Sequence, residues 1–199
     1  MLSNSSSRTA IIVRGTHIRK HFLCEELGMP SAEDVGNREK ELGNIEDMPN
    51  RDKTALLTNS NKCIGCHNRI NELGFALEGY DQLGFPRVHE SIFDSAGKIV
   101  KTFPLNLSVE RPRIDTNEVK PLNGGLEMAK ELSESTKARA CFAQRLYEYY
   151  QLRNITVAND GCLLGEVEAA VHTQNLKTVL VHAVANEDIF WRKVTSEGK

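Results

Sequence analysis

Cys63-Ile64-Gly65-Cys66-His67 places two thiols and an imidazole within five residues, at the C-x-x-C-H spacing of a c-type haem attachment site. In that chemistry each Sγ–H adds across one porphyrin vinyl group, and the following histidine turns its imidazole onto the iron as axial ligand. The spacing is mechanical. Two intervening residues let the sulfurs reach neighbouring vinyls, and a histidine directly after the second cysteine falls under the ring from one helical turn. Three other chemistries use similar residues. A thioredoxin-like dithiol also reads C-x-x-C, but it follows a buried strand, and Thr58-Asn59-Ser60-Asn61-Lys62 is polar and loop-like. A structural zinc site wants a second close ligand pair, whereas Cys24, Cys141 and Cys162 are scattered. Two unreacted cysteines beside a surface histidine form the plainest alternative. Covalent haem c, one per chain, is the reading that uses all three side chains.

An iron held by His67 needs a sixth ligand for pure electron transfer, or an open position for catalysis such as a peroxidase or oxygenase performs. Met29, Met48 and Met128 are available, as are His17, His21, His89, His172 and His182. Met48 ranks first among them, because it lies in a long excursion just before the haem motif. His17 and His21 share a helical face at i, i+4, a metal-binding spacing, although Arg19 and Lys20 beside them read as a solvated basic face. Glu78 and Asp81 could imitate an acid/base pair. Capping, or pairing with Arg69 or Arg87, is their expected role. Arg87 is alternatively a propionate clamp, since its fork matches a carboxylate. Tyr147, Tyr149, Tyr150 and Trp191 either line the haem or pack helices.

The elements that must position these groups are mostly helical, and the fold class read from the sequence is mainly α. Residues 11–27 carry Ile18, Phe22, Leu23 and Leu27 at helical spacing. Residues 28–50 hold two prolines and three glycines among charges and read as a surface excursion along the haem edge. A short helix runs from Cys63 through Leu73, with Gly74 ending it. Asp94-Ser95-Ala96-Gly97 turns a small hairpin between Val88 and Phe103, and 104–123 is irregular. Four helices follow: one on Leu126, Ala129 and Leu132; one on Phe142, Leu146 and Tyr149; one capped by Asp160; one capped by Asn175. The expected division is an N-terminal helix and excursion over 1–50, a haem-binding segment over 51–123, and a C-terminal helical bundle over 124–199. A Cys141–Cys162 disulfide is one option for the remaining thiols, but a plain antiparallel helix pair would hold them about 15 to 20 Å apart. Cys24 is then free.

With 199 residues, 25 basic and 27 acidic, the chain has a formal charge of −2. That balance argues against nucleic acid or an anionic membrane surface as partner. No run of about 18 apolar residues occurs, so no transmembrane segment is expected. The first residues lack the basic, apolar and small-residue regions of a secretory leader. Haem c is attached outside the bacterial cytoplasm, so the expectation is a processed or C-terminal piece of a longer periplasmic or extracellular precursor.

Positions 63–87, CIGCHNRINELGFALEGYDQLGFPR, resemble the large secreted cytochrome-like proteins first noted in planctomycetes, whose pattern runs CxxCH and then GFxLExxDxxGxxR. Weaker likeness extends to Arg14-Gly15, Leu23-Cys24, Asp94-Ser95-Ala96-Gly97 and the terminal segment with Cys141 and Cys162. The resemblance implies a cytochrome c-like, haem-bearing C-terminal module of a larger assembly, with redox proteins as partners and no particular substrate. One departure stands out. That family often has a histidine shortly before the first haem cysteine, and Leu56, Leu57 and Thr58 occupy that stretch here.

Overall fold

The computed structural model describes residues 8–29, 31–115 and 120–185. It is mainly helical, with two small antiparallel strand pairs, and divides into two compact units, Met1–Ser133 and Glu134–Lys199.

In the first unit, α1 (Ile11–His17) continues into a π-helical turn, Ile18–Phe22, and packs on α4 (Ile64–Ala76). Small residues set that packing. A Cβ on Gly15 would stand 2.1 Å from the Ile70 carbonyl oxygen, and one on Gly74 would stand 2.3 Å from that of Ile11. Residues 11 and 74, and 15 and 70, therefore face each other, so the two helices run antiparallel. Two buried arginines fasten them. Arg14 donates to the carbonyls of Leu77 (3.0 Å), Tyr80 (2.8 Å) and Asp81, closing the C-terminal end of α4. Arg19 donates to the carbonyls of Arg69 (2.8 Å), Arg113 (2.6 Å) and Pro112, and pairs with Glu25 at 3.1 Å. Burying a guanidinium is costly unless its donors are satisfied, and carbonyl oxygens take the terminal N–H groups of both, while Arg14 Nε is left without a partner among the described residues.

The expected end of the haem-motif helix at Gly74 is corrected by this contact. Gly74 lies inside α4, selected by the approach of Ile11 rather than by a left-handed cap. Residues 28–50 are also more ordered than their composition suggests. They contain α2 (Ala32–Leu42), whose N-cap Ser31 accepts from the Asp34 backbone N–H at 3.0 Å, with Glu33 and Asp34 in the positive first turn. A further helix, α3 (Asn50–Thr58), leads to the C-x-x-C-H run.

The hairpin forms as read: β1 (His89–Phe93) pairs antiparallel with β2 (Ile99–Pro104), and the Asp94 carboxylate accepts from the N–H groups of Ala96 and Lys98. Within 104–123 a second short pair forms, β3 (Ser108–Val109) with β4 (Leu122–Asn123). α5 (Gly125–Glu134) starts against the end of α4, since a Cβ on Gly125 would meet Tyr80 at 3.0 Å and Leu77 at 3.3 Å.

In the second unit, α6 (Thr136–Gln151), α7 (Val157–Thr173) and α8 (Leu176–Ala185) pack around Ala143, Tyr147, Ile155, Val167, Ala170 and Val179. The buried stripe of α6 runs through Ala143 and Tyr147, while Phe142 and Tyr149 face solvent. Asn175 caps α8 as expected, accepting from Thr178 N–H at 3.1 Å. Asp160 lies one turn inside α7 instead, reaching back to the Thr156 N–H at 2.9 Å and to Arg153. The Cys141–Cys162 pairing is corrected. Cys141 is buried and disulfide-bonded, and Cys162 on α7 is a free, exposed thiol. Cys24, expected to be free, is disulfide-bonded as well.

Candidate functional site

Cys63 is the N-cap of α4, and Cys66 and His67 lie in its first turns. The turn before them is tight: the N–H groups of Cys63 and Ile64 both donate to the Ser60 carbonyl at 2.9 Å, and His67 N–H closes on Cys63 O at 3.1 Å. Positions i, i+3 and i+4 share one helical face, so the two sulfurs and the imidazole project together. The same stripe continues as Ile70, Asn71 and Gly74, all buried. The chemical end of α4 is thus where its buried face emerges from beneath α1 and α3. Cys66 is exposed, Cys63 and His67 are partly so, and both thiols are free.

Two neighbours hold this end in place. α2 is tied to it through Lys62–Asp34 (2.7 Å) and through Arg38, which donates to Leu56 O (2.9 Å) and Asn59 Oδ1 (2.5 Å). α3 meets it through Asn71, whose amide lies 2.8 Å from Thr58 Oγ1 and 3.0 Å from His67 Nδ1. Neither Asn71 nor Thr58 is singled out by sequence reasoning. The signal was the i, i+4 spacing of His67 and Asn71.

The string after the histidine has a different job. Glu78, 2% exposed, accepts from Thr9 Oγ1 (2.8 Å) and Arg87 Nη2 (3.0 Å) and stands 3.6 Å from Arg14. Burial raises its pKa against the pull of Thr9, Arg87 and Arg14. Asp81 accepts from the N–H groups of Leu83 and Phe85 within the 81–85 turn, and these bonds hold its pKa low. Both acids are structural, as the capping and pairing reading expects. Glu78 takes Arg87, whereas Arg69 pairs with Glu25 at 2.5 Å.

Residues 1–90 match the model of a family described as PSCyt3, a protein of unknown function (DUF1588). The match covers the C-x-x-C-H run and the string that follows it. No curated protein and no solved structure matches the chain. The family's name associates it with cytochromes, at the coarse level the motif also indicates.

The remaining expectations sort as follows. Arg87 is turned inward on one side: Nη2 donates to Glu78 Oε2 at 3.0 Å and Nε donates to Glu78 O at 2.9 Å. Met48 lies at the N-terminal end of α3, where Arg8 donates to its carbonyl at 2.5 Å and pairs with Glu90. His67 is served from the opposite end, through Thr58. Nine residues of helix, about 13 Å at 1.5 Å each, separate the two ends. Met128 is in the core and Met29 is exposed. His17 and His21 lie 4.3 Å apart between ring centroids, tilted by 41°, and burial together with His21 lowers the His17 pKa. His172 faces Arg139 at 2.5 Å. Tyr147 packs the second unit's core and Tyr149 meets Tyr150 edge-on, while Trp191 and the His182 side chain lie outside the described residues.

For the rival chemistries, the element before Cys63 is helix α3 and a turn, not the strand of a dithiol oxidoreductase. Among the described residues no three His, Cys, Asp or Glu side chains converge as a metal-ion site. No helix among them is long and apolar enough to cross a membrane.

Proposed function

We propose that this chain carries one covalent haem c on Cys63, Cys66 and His67 and passes single electrons to redox protein partners within a larger periplasmic or extracellular assembly. The observation that carries the reading is the joint placement of two free thiols and one imidazole on the emerging face of α4. Attachment needs no external redox agent: each Sγ–H adds across a vinyl C=C, sulfur to one carbon and hydrogen to the other. The haem supplies an Fe(III)/Fe(II) couple when bound. The residues of the chain hold it: the two sulfurs fix its edge, His67 reaches the iron, and α2, pinned by Lys62 and Arg38, walls the side of the attachment turn. The PSCyt3 match and the resemblance of residues 63–87 support the cytochrome-like assignment.

The test is expression with a c-type maturation system, followed by denaturing electrophoresis and haem staining. A stained band in the wild type, lost in the Cys63→Ala/Cys66→Ala variant, is the expected result. An unstained wild-type band from protein that has passed through maturation contradicts the proposal.

A further inference from the structure

Thr58 carries one hydroxyl proton, and Oγ1 stands 2.7 Å from the carbonyl oxygen of Thr54, an atom that can only accept. The proton is committed there. The Asn71 amide 2.8 Å away must therefore present its Nδ2–H to Oγ1, which turns Oδ1 toward His67 Nδ1 at 3.0 Å. Oδ1 also only accepts, so Nδ1 must bear the imidazole proton. A flipped amide would set its oxygen against the Thr58 lone pairs. Thr54, Thr58 and Asn71 are all buried, where such a mismatch has no water to relieve it.

We infer that Asn71, oriented by Thr58, is a positioning residue that locks His67 as the Nδ1–H tautomer and leaves Nε2 as the nitrogen free to bind iron. The consequence for a bound haem rests on the function proposed above; the tautomer does not. A ring N–H donated to an acceptor raises the basicity of the opposite nitrogen, and such outer partners are worth 10- to 100-fold in metal affinity. A more basic Nε2 favours Fe(III), so the relay lowers the reduction potential.

Two measurements on the full chain test this. In the ¹⁵N-labelled, haem-free Cys63→Ala/Cys66→Ala protein, long-range ¹H–¹⁵N spectra are expected to show His67 protonated at Nδ1; protonation at Nε2, or an even mixture, overturns the inference. In the haem-loaded protein, Asn71→Leu is expected to raise the potential, with a tenfold loss of Fe(III) preference reading as about 59 mV, while Asn71→Asp, which keeps an acceptor, stays at or below wild type. An unchanged potential in a folded Asn71→Leu protein overturns it. Should that variant not fold, Thr58→Val serves: it removes the group that orients the amide, and a mixed His67 tautomer is expected, a pure Nδ1–H form being the contrary result. Absence of haem defeats the proposed function and leaves the tautomer measurement standing, so the two ideas fail separately.

Discussion

Gly15→Ala is the sharpest probe of how α4 is held. In an isolated helix the change stabilises by up to about 1 kcal/mol, because alanine restricts the unfolded chain. Here the new Cβ would lie 2.1 Å from Ile70 O and 2.9 Å from Ile70 C, and both atoms are backbone. No rotamer change relieves that contact, so α1 and α4 must separate by about 1 Å, forfeiting much of the dispersion energy along their seam. Overpacking of this kind costs about 1–3 kcal/mol, and a net loss of about 2 kcal/mol is expected. Gly36 is the control: it sits in α2 with nothing within 4 Å of a built Cβ, so Gly36→Ala should stabilise by about 0.5–1 kcal/mol. Urea unfolding followed by circular dichroism reads both. With a slope near 2 kcal/mol/M, Gly15→Ala should lower the midpoint by about 1 M and Gly36→Ala should raise it. Gly15→Ala and Gly74→Ala should combine sub-additively, since one separation relieves both clashes. A midpoint that rises in Gly15→Ala would refute the register that places the C-x-x-C-H run.

The Glu78 hub makes a second prediction: Glu78→Ala leaves Arg14 and Arg87 facing each other without their carboxylate, and a loss of about 3–5 kcal/mol in chemical denaturation is expected; under 1 kcal/mol would show that the acid is dispensable. The disulfide assignment predicts three titratable thiols, Cys63, Cys66 and Cys162, in denatured, unreduced, haem-free protein; a count of five or one contradicts it. Asp160 has its pKa lowered chiefly by its hydrogen bond to Arg153, so its contribution is present above the ordinary carboxylate value and lost as pH falls through the folded value. Acid unfolding of the second unit should accordingly be less steep below about pH 4 in Asp160→Asn than in wild type, and an identical acid limb would remove Asp160 from the account.

Much of this was legible from local chemistry. The C-x-x-C-H spacing, the Asp94–Gly97 turn, the Asn175 cap and the Glu78–Arg87 pairing each depend on residues close in sequence. What escaped depends on distant partners. Gly74 reads equally as a helix stop or a point of close approach, and only Ile11 on another helix decides. Arg14-Gly15, a detached fragment of the family-like pattern, gains meaning once Arg14 caps 77–81 and Gly15 admits Ile70. α2 was hidden by Gly36 and its many charges, which masked the Ser31–Asp34 cap. Asn71 carries no signal beyond its i, i+4 spacing from His67, and its role required Thr58 from the preceding helix.

Intact mass of the natively matured chain tests the central claim most directly. The account predicts the polypeptide plus one haem, with Cys162 as the only thiol left to alkylate after denaturation. A mass equal to the bare polypeptide, with Cys63 and Cys66 both alkylated, would contradict it.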